Sequence, residues 1–166
     1  MPVRRLNHAV LYVRDVARSV EFYTEVFDFK VDVEMPGRAA FLSAKDTLNH
    51  HDLGLFAVGT QAGGPIPGQV GLYHLAWEVG TLGELSEIAQ RLQRRGALGG
   101  ATNHLVSKSL YAKDPDGIEF EVLWQVPRED WPSKDEQTRL LPLDLQASID
   151  RWGADLETGT AAGSAT

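Results

Sequence analysis

The 166 residues carry a formal net charge of −7, a hydrophobic fraction of 43% and no cysteine. A single ordinary globular domain is expected, without disulfides, and any metal must be held by imidazole and carboxylate because no thiolate is available. Basic residues scattered along an acidic chain argue against nucleic acid, whose binding needs clustered Lys and Arg, and no apolar run approaches a membrane span.

In chain order, Met1-Pro2-Val3-Arg4-Arg5 lacks the apolar stretch of a secretory leader, so a cytoplasmic protein is expected. The β-branched, aromatic and apolar content of Leu6–Val13 predicts a strand. Asp15 is a suitable N-cap for a helix with Val16, Val20, Tyr23 and Phe27 on one face. Strands are predicted over Phe29–Glu34, Ala39–Ala44 and Asp52–Val58, with a turn at Met35-Pro36-Gly37. A Gly/Pro-rich linker occupies residues 59–71.

The same order then returns. Leu72–Val79 reads as a strand, and Thr81 with Glu84 forms a capping box for a helix bearing Leu82, Leu85, Ile88, Ala89 and Leu92. Gly96 ends that helix, and strands follow at about Thr102–Val106, Ser109–Lys113 and Ile118–Trp124. The chain is therefore read as α+β, two tandem βαβββ modules (5–58 and 72–124) within one domain spanning residues 1–132. A helical extension is expected over 133–157, with Leu145, Ile149, Trp152 and Leu156 on one face, and a disordered tail over 158–166.

One constant shift carries His8 onto His74 and Leu55 onto Glu121. By strand alternation Phe120, Val122 and Trp124 pack under the helices while Glu121 points the other way; Tyr73, Leu75 and Trp77 pack down while His74 points up. His8 shares its face with Leu6 and Val10. A lone strand histidine is more often structural than a ligand, but two at one repeat offset, with a carboxylate on the last strand, suit a metal with open positions. With Leu55 where the second module has Glu121, one site per chain is expected.

Asp114-Pro115-Asp116-Gly117 suits a hairpin loop built on a type I turn, with glycine in the left-handed position. That loop pairs Asp114 with Ile118 and so sets Tyr111 across from Glu121, their Cβ atoms roughly 5 Å apart. By parity with Leu55, His51 faces the cavity and His50 faces away. His104 lies near the same hairpin, where a structural role is at least as natural as a substrate contact.

These segments, LNHAVLYVRDVARSVEFYTEVFDF (6–29), HHDLGLF (50–56), YHLAWEV (73–79) and SLYAKDPDGIEFEVLW (109–124), resemble the vicinal oxygen chelate superfamily of glyoxalases, bleomycin and fosfomycin resistance proteins and extradiol dioxygenases. Within it the chain is most similar to extradiol catechol dioxygenases. The resemblance implies a cupped mixed sheet around a metal site with helices outside. It implies one divalent metal per chain on His8, His74 and Glu121, with Fe(II) expected and Mn(II), Ni(II) or Zn(II) as alternatives. It further implies His51 as an acid/base, Tyr111 as a hydrogen-bond partner of the substrate, and His104 as a substrate contact. The expected partners are a catechol-like aromatic, O₂ and further copies of the chain in a homodimer or higher homo-oligomer, with no nucleic acid and no membrane. A glyoxalase-like lyase or isomerase, a thiol transferase and a small-molecule-binding resistance protein are the alternatives.

Overall fold

Both predicted helix starts form as the chemistry of their caps requires. The computed structural model describes residues 2–160, and the chain divides into two compact units, Met1–Pro67 with Asp114–Gly117, and Gly68–Lys113 with Ile118–Thr166. In the first unit β1 (Ala9–Val13) buries Leu11 and Val13 and exposes Val10 and Tyr12. Asp15 then accepts a bond from Arg18 N and opens α1 (Val16–Phe27). The helix buries Val16, Ser19, Phe22, Tyr23 and Val26, a stripe turned slightly from the expected row through Val20 and Phe27. The strands β2 (Lys30–Met35), β3 (Ala39–Ser43) and β4 (Leu53–Ala57) complete an open sheet ordered β1-β4-β3-β2, in which only β1 and β4 run parallel. His8 lies just before β1, three residues shorter at its start than predicted.

The second unit repeats the plan. β5 (Leu75–Glu78) leads to α2 (Leu82–Arg94), whose capping box is complete: Thr81 Oγ1 accepts from Glu84 N and the Glu84 carboxylate accepts from Thr81 N. Leu82, Leu85, Ile88 and Leu92 are its buried stripe. The next strand, β6 (Leu98–Asn103), starts four residues before the predicted Thr102. Gly99-Gly100 reads locally as a break, but pairing with β7 (Ser107–Lys113) overrides it, with a register shift between Leu98 and Gly100. With β8 (Glu119–Gln125) and the unforeseen two-residue β9 (Leu141–Pro142), the sheet order is β5-β8-β7-β6-β9. The fold is mixed α+β, a βαβββ order occurring twice in two open sheets.

A 3-10 turn at Arg128–Asp130 follows β8, and α3 (Leu145–Trp152) packs on α2 of the same unit. Trp124 donates its indole N–H to Leu156 O, and Trp152 donates its own to Asp130 Oδ2. Thr158–Thr160, expected to begin a disordered tail, are tied down instead: Thr158 N donates to Gly80 O and Gly159 N to Gln125 O. The remainder of that expected tail, 161–166, lies outside the described residues. Among the described residues no helix is long and apolar enough to cross a membrane.

The turn after β7 takes the predicted form. Gly117 has φ +87° and donates to Asp114 O at 3.0 Å, and Asp116 N donates to Asp114 Oδ1 at 2.9 Å. Asp116, 7% exposed, accepts from Arg14 N, Arg14 Nη1 and Arg18 Nη2. A carboxylate this buried is tolerable only with such partners. Replacing Asp116 with Ala removes the side-chain acceptor of the Arg14 amide, Arg14 Nη1 and Arg18 Nη2, while Arg14 Nε keeps Ala62 O, so unfolding free energy in urea should fall by about 1–3 kcal/mol; an unchanged midpoint and slope would contradict the assignment.

Candidate active site

The period of two on β8 turns Phe120, Val122 and Trp124 into the core of the second unit, each at most 1% exposed, and sends Glu121 to the opposite face. β5 runs parallel to β8 with Ala76 opposite Glu121, which brings His74, just before β5, to the same carboxylate. His74 Nε2 stands 3.3 Å from Glu121 Oε2. Across the antiparallel β7–β8 pair Tyr111 is directly opposite Glu121, as the turn predicted. The Tyr111 hydroxyl bonds to Glu121 and lies 2.8 Å from His104 Nε2. His74, Glu121, Tyr111 and His104 thus form one polar cluster on the helix-free face of the second sheet.

Its electrostatics follow from burial. Glu121 is 9% exposed. Burial, followed by the Glu121 charge and their hydrogen bond, pushes the Tyr111 phenol up to about 12, so it remains a proton donor at every physiological pH. The direction of the bond between His104 Nε2 and the phenol oxygen follows the His104 tautomer. His74 Nδ1 is buried without a hydrogen-bond partner. An imidazole nitrogen and a carboxylate oxygen converging at 3.3 Å form a donor pair that suits a divalent cation.

The other predicted residues lie in the first unit. The His51 ring is 4.6 Å from that of His8 and 5.0 Å from Phe41, centroid to centroid. Burial, then the charges of His8 and His50, lowers the His51 pKa below its ordinary 6.5. Among the described residues no group of three or more His, Asp or Glu gathers as metal ligands would; within the second unit His74 meets Glu121, and within the first His8 lies against His51.

Three parity readings need correction. Leu55 is not the counterpart of Glu121: it pairs with Leu11 on the buried face and is fully buried. In the parallel pairs Val10 sits opposite Gly54 as Ala76 sits opposite Glu121, so the counterpart is Gly54, one residue earlier. Likewise Phe41 opposes Gly54 as Tyr111 opposes Glu121. The first repeat therefore has glycine and phenylalanine where the second has a carboxylate and a phenol. A Cβ at Gly54 would meet Val10 Cγ2 at 3.4 Å and the Phe41 ring at 3.6 Å, ordinary van der Waals contact. The second correction concerns His51 and His50. His51 reaches His8 because the chain is irregular before β4, not through alternation with Leu55, and His50 does not turn away, its Nδ1 standing 3.0 Å from His51 Nδ1. Third, Tyr73, expected to pack down, is 77% exposed and tilts against His74, because β5 begins only at Leu75.

Comparison with known proteins agrees with this architecture. The family model of the Glyoxalase/Bleomycin resistance protein/Dioxygenase superfamily matches residues 5–122. The chain belongs to that superfamily. It is 30% identical over 158 residues to Catechol-2,3-dioxygenase of Bacillus subtilis (strain 168), covering 92% of this chain and 54% of that protein. It is 34% identical over 122 residues to Biphenyl-2,3-diol 1,2-dioxygenase 3 of Rhodococcus globerulus, covering 71% of this chain and 62% of that one. The chain thus spans little more than half the length of these curated relatives. Among solved structures, a glyoxylase/bleomycin resistance protein/dioxygenase domain from Frankia sp. EAN1pec matches with a TM-score of 0.62 at 25% identity, covering 75% of this chain and 94% of that one.

The raised Tyr111 pKa carries a pH signature. A group whose folded pKa lies above its unfolded value of 10.0 stabilises the fold fully below pH 10, and that contribution is lost as pH rises toward about 12. The stability difference between the wild-type chain and Tyr111→Phe in urea should therefore be constant from pH 7 to 9.5 and shrink above pH 10. A difference that stays flat to pH 11.5 would place the phenol outside the Glu121 cluster.

Proposed function

We propose that the chain is a metal-dependent extradiol-type dioxygenase that opens a catechol-like ring with O₂. The observation that carries this reading is the convergence of His74 Nε2 and Glu121 Oε2 with a protonated Tyr111 hydroxyl on the same carboxylate. The likeness to the catechol and biphenyl-diol dioxygenases supports it. In this reading residues 1–132 act as one functional domain, and His8, His74 and Glu121 hold one divalent cation, Fe(II) in preference to Mn(II), Ni(II) or Zn(II). Such a metal supplies adjacent open positions for two vicinal oxygens and a path for electrons to O₂.

The protein's own groups then have distinct tasks. A Glu121 carboxylate engaged as a ligand is a weaker acceptor for Tyr111, which can turn its O–H to a substrate oxygen. His104, bonded to that phenol, fixes its direction and borders the same face. His51, held below its ordinary pKa and so neutral near pH 7, is free to take a substrate proton and return it later in the reaction. A fourth protein ligand from the first repeat, as a glyoxalase-type site would use, has no source where Gly54 stands opposite Val10.

The test is anaerobic loading with Fe(II), then O₂ uptake on a panel of catechols, with Zn(II) as the redox-inert comparison. Fe(II) should support ring cleavage with O₂ consumed one for one, and Zn(II) should not; Zn(II)-supported turnover without O₂ would favour a lyase or isomerase. His51→Gln should lower kcat on the order of 10²–10⁴-fold while metal content is unchanged. The wild-type acid limb should have its midpoint below 6.5, following the lowered His51 pKa. Loss of metal in His51→Gln would make His51 a ligand instead.

A further inference from the structure

On the face of the second sheet opposite Glu121, a buried cation lines a cavity that the proposed chemistry does not use. Lys108 alternates with Tyr111 along β7, sharing its side with Leu110 and Ala112, and is only 3% exposed. Its Nζ donates to Asn103 Oδ1 at 2.7 Å and lies 5.0 Å from the centroid of the Trp152 ring. Asn103 Oδ1 is shared, because it also accepts from Leu105 N at 2.9 Å and holds the tight β6–β7 turn, where Leu105 has φ +68°.

Among the described residues no carboxylate forms an ion pair with Lys108. The two acids in the cavity wall are engaged elsewhere: Asp130 with the Trp152 indole N–H and Arg151, and Asp144 with the amide of Ala147 at the start of α3. The cavity measures about 360 Å³, and Leu105, Pro132, Pro142, Ala147 and Trp152 give it apolar walls. Arg151, stacked 4.3 Å over the same Trp152 ring and ion-paired with Asp130, is the second cation of the wall. Every one of these residues belongs to the second unit.

A buried ammonium with one amide acceptor and an aromatic face lacks the anion that usually accompanies it. Burial, and then the Arg151 charge, lowers Lys108 to about 8, so at neutral pH the ammonium form still predominates. We propose that this cavity binds a small monocarboxylate with an apolar body, its carboxylate paired to Lys108 and its body against Trp152 and the prolines. An aromatic or short aliphatic acid fits this chemistry: one charged end for the cations, and a surface that prolines and an indole can cover.

The experiment uses the full chain, stripped of metal with a chelator so that no metal-bound carboxylate contributes. The ¹⁵N-labelled protein is titrated with benzoate and, separately, with inorganic phosphate, following the Trp152 indole and Asn103 side-chain amide resonances. Calorimetry on Lys108→Met, which keeps the apolar stem and removes the charge, gives the second reading. We expect saturable one-to-one shifts at both resonances with benzoate, and at least tenfold weaker benzoate binding in Lys108→Met. The absence of saturable shifts at Trp152, or unchanged affinity in Lys108→Met, would overturn the site. Phosphate binding as tightly as benzoate would overturn the assignment to a carboxylate with an apolar body.

Discussion

The pairing of Tyr111 with Glu121 across β7 and β8 is the constraint on which the candidate site depends. Because successive strand residues face opposite sides, this one register puts Phe120, Val122 and Trp124 into the core and a carboxylate and a phenol on the other face. A slip by one residue would bury Glu121 among the helices and strand the core residues in solvent. The burial of those three side chains therefore holds the polar cluster in place, and the type I turn ending in Gly117 fixes where the hairpin begins.

A cluster held this way stores an electrostatic tension. Glu121 is largely out of water, and its compensation comes from His74 on one side and the Tyr111 hydroxyl on the other. The Nδ1 of His74, on the far side of the ring from Glu121, is buried without a hydrogen-bond partner in the protein. The first repeat dispenses with all of this. Gly54 and Phe41 occupy the equivalent positions, and two imidazoles of that unit, His8 and His51, lie against each other.

Much of this was legible in the sequence. The repeat, both helix caps, the turn at 114–117 and the opposition of Tyr111 to Glu121 all follow from local rules that the tertiary structure does not override. The failures have a common physical origin. Alternation does not extend past the ends of strands to His51 and Tyr73, where the backbone is irregular and parity no longer holds. A constant shift between the repeats misplaced the counterpart of Glu121 by one residue, since pairing partners and not sequence offset define equivalence. The early start of β6 at Leu98 and the existence of β9 depend on edge pairing that no local propensity encodes. Nothing in the pattern around Lys108 marked it as buried, because its burial comes from the distant Trp152 and the cavity around it.

Strand register holds Glu121 where, in the proposed function, it ligates the metal. Calorimetric titration of the metal-free chain with Mn(II), compared with Glu121→Gln, tests this most directly, since the amide keeps the size and one acceptor oxygen but removes the charge. One equivalent should bind to the wild-type chain, and binding should be lost or at least a hundredfold weaker in Glu121→Gln, with the melting temperature little changed. Wild-type affinity in Glu121→Gln would mean that the carboxylate is a structural partner of His74 and Tyr111, and that any metal is held elsewhere.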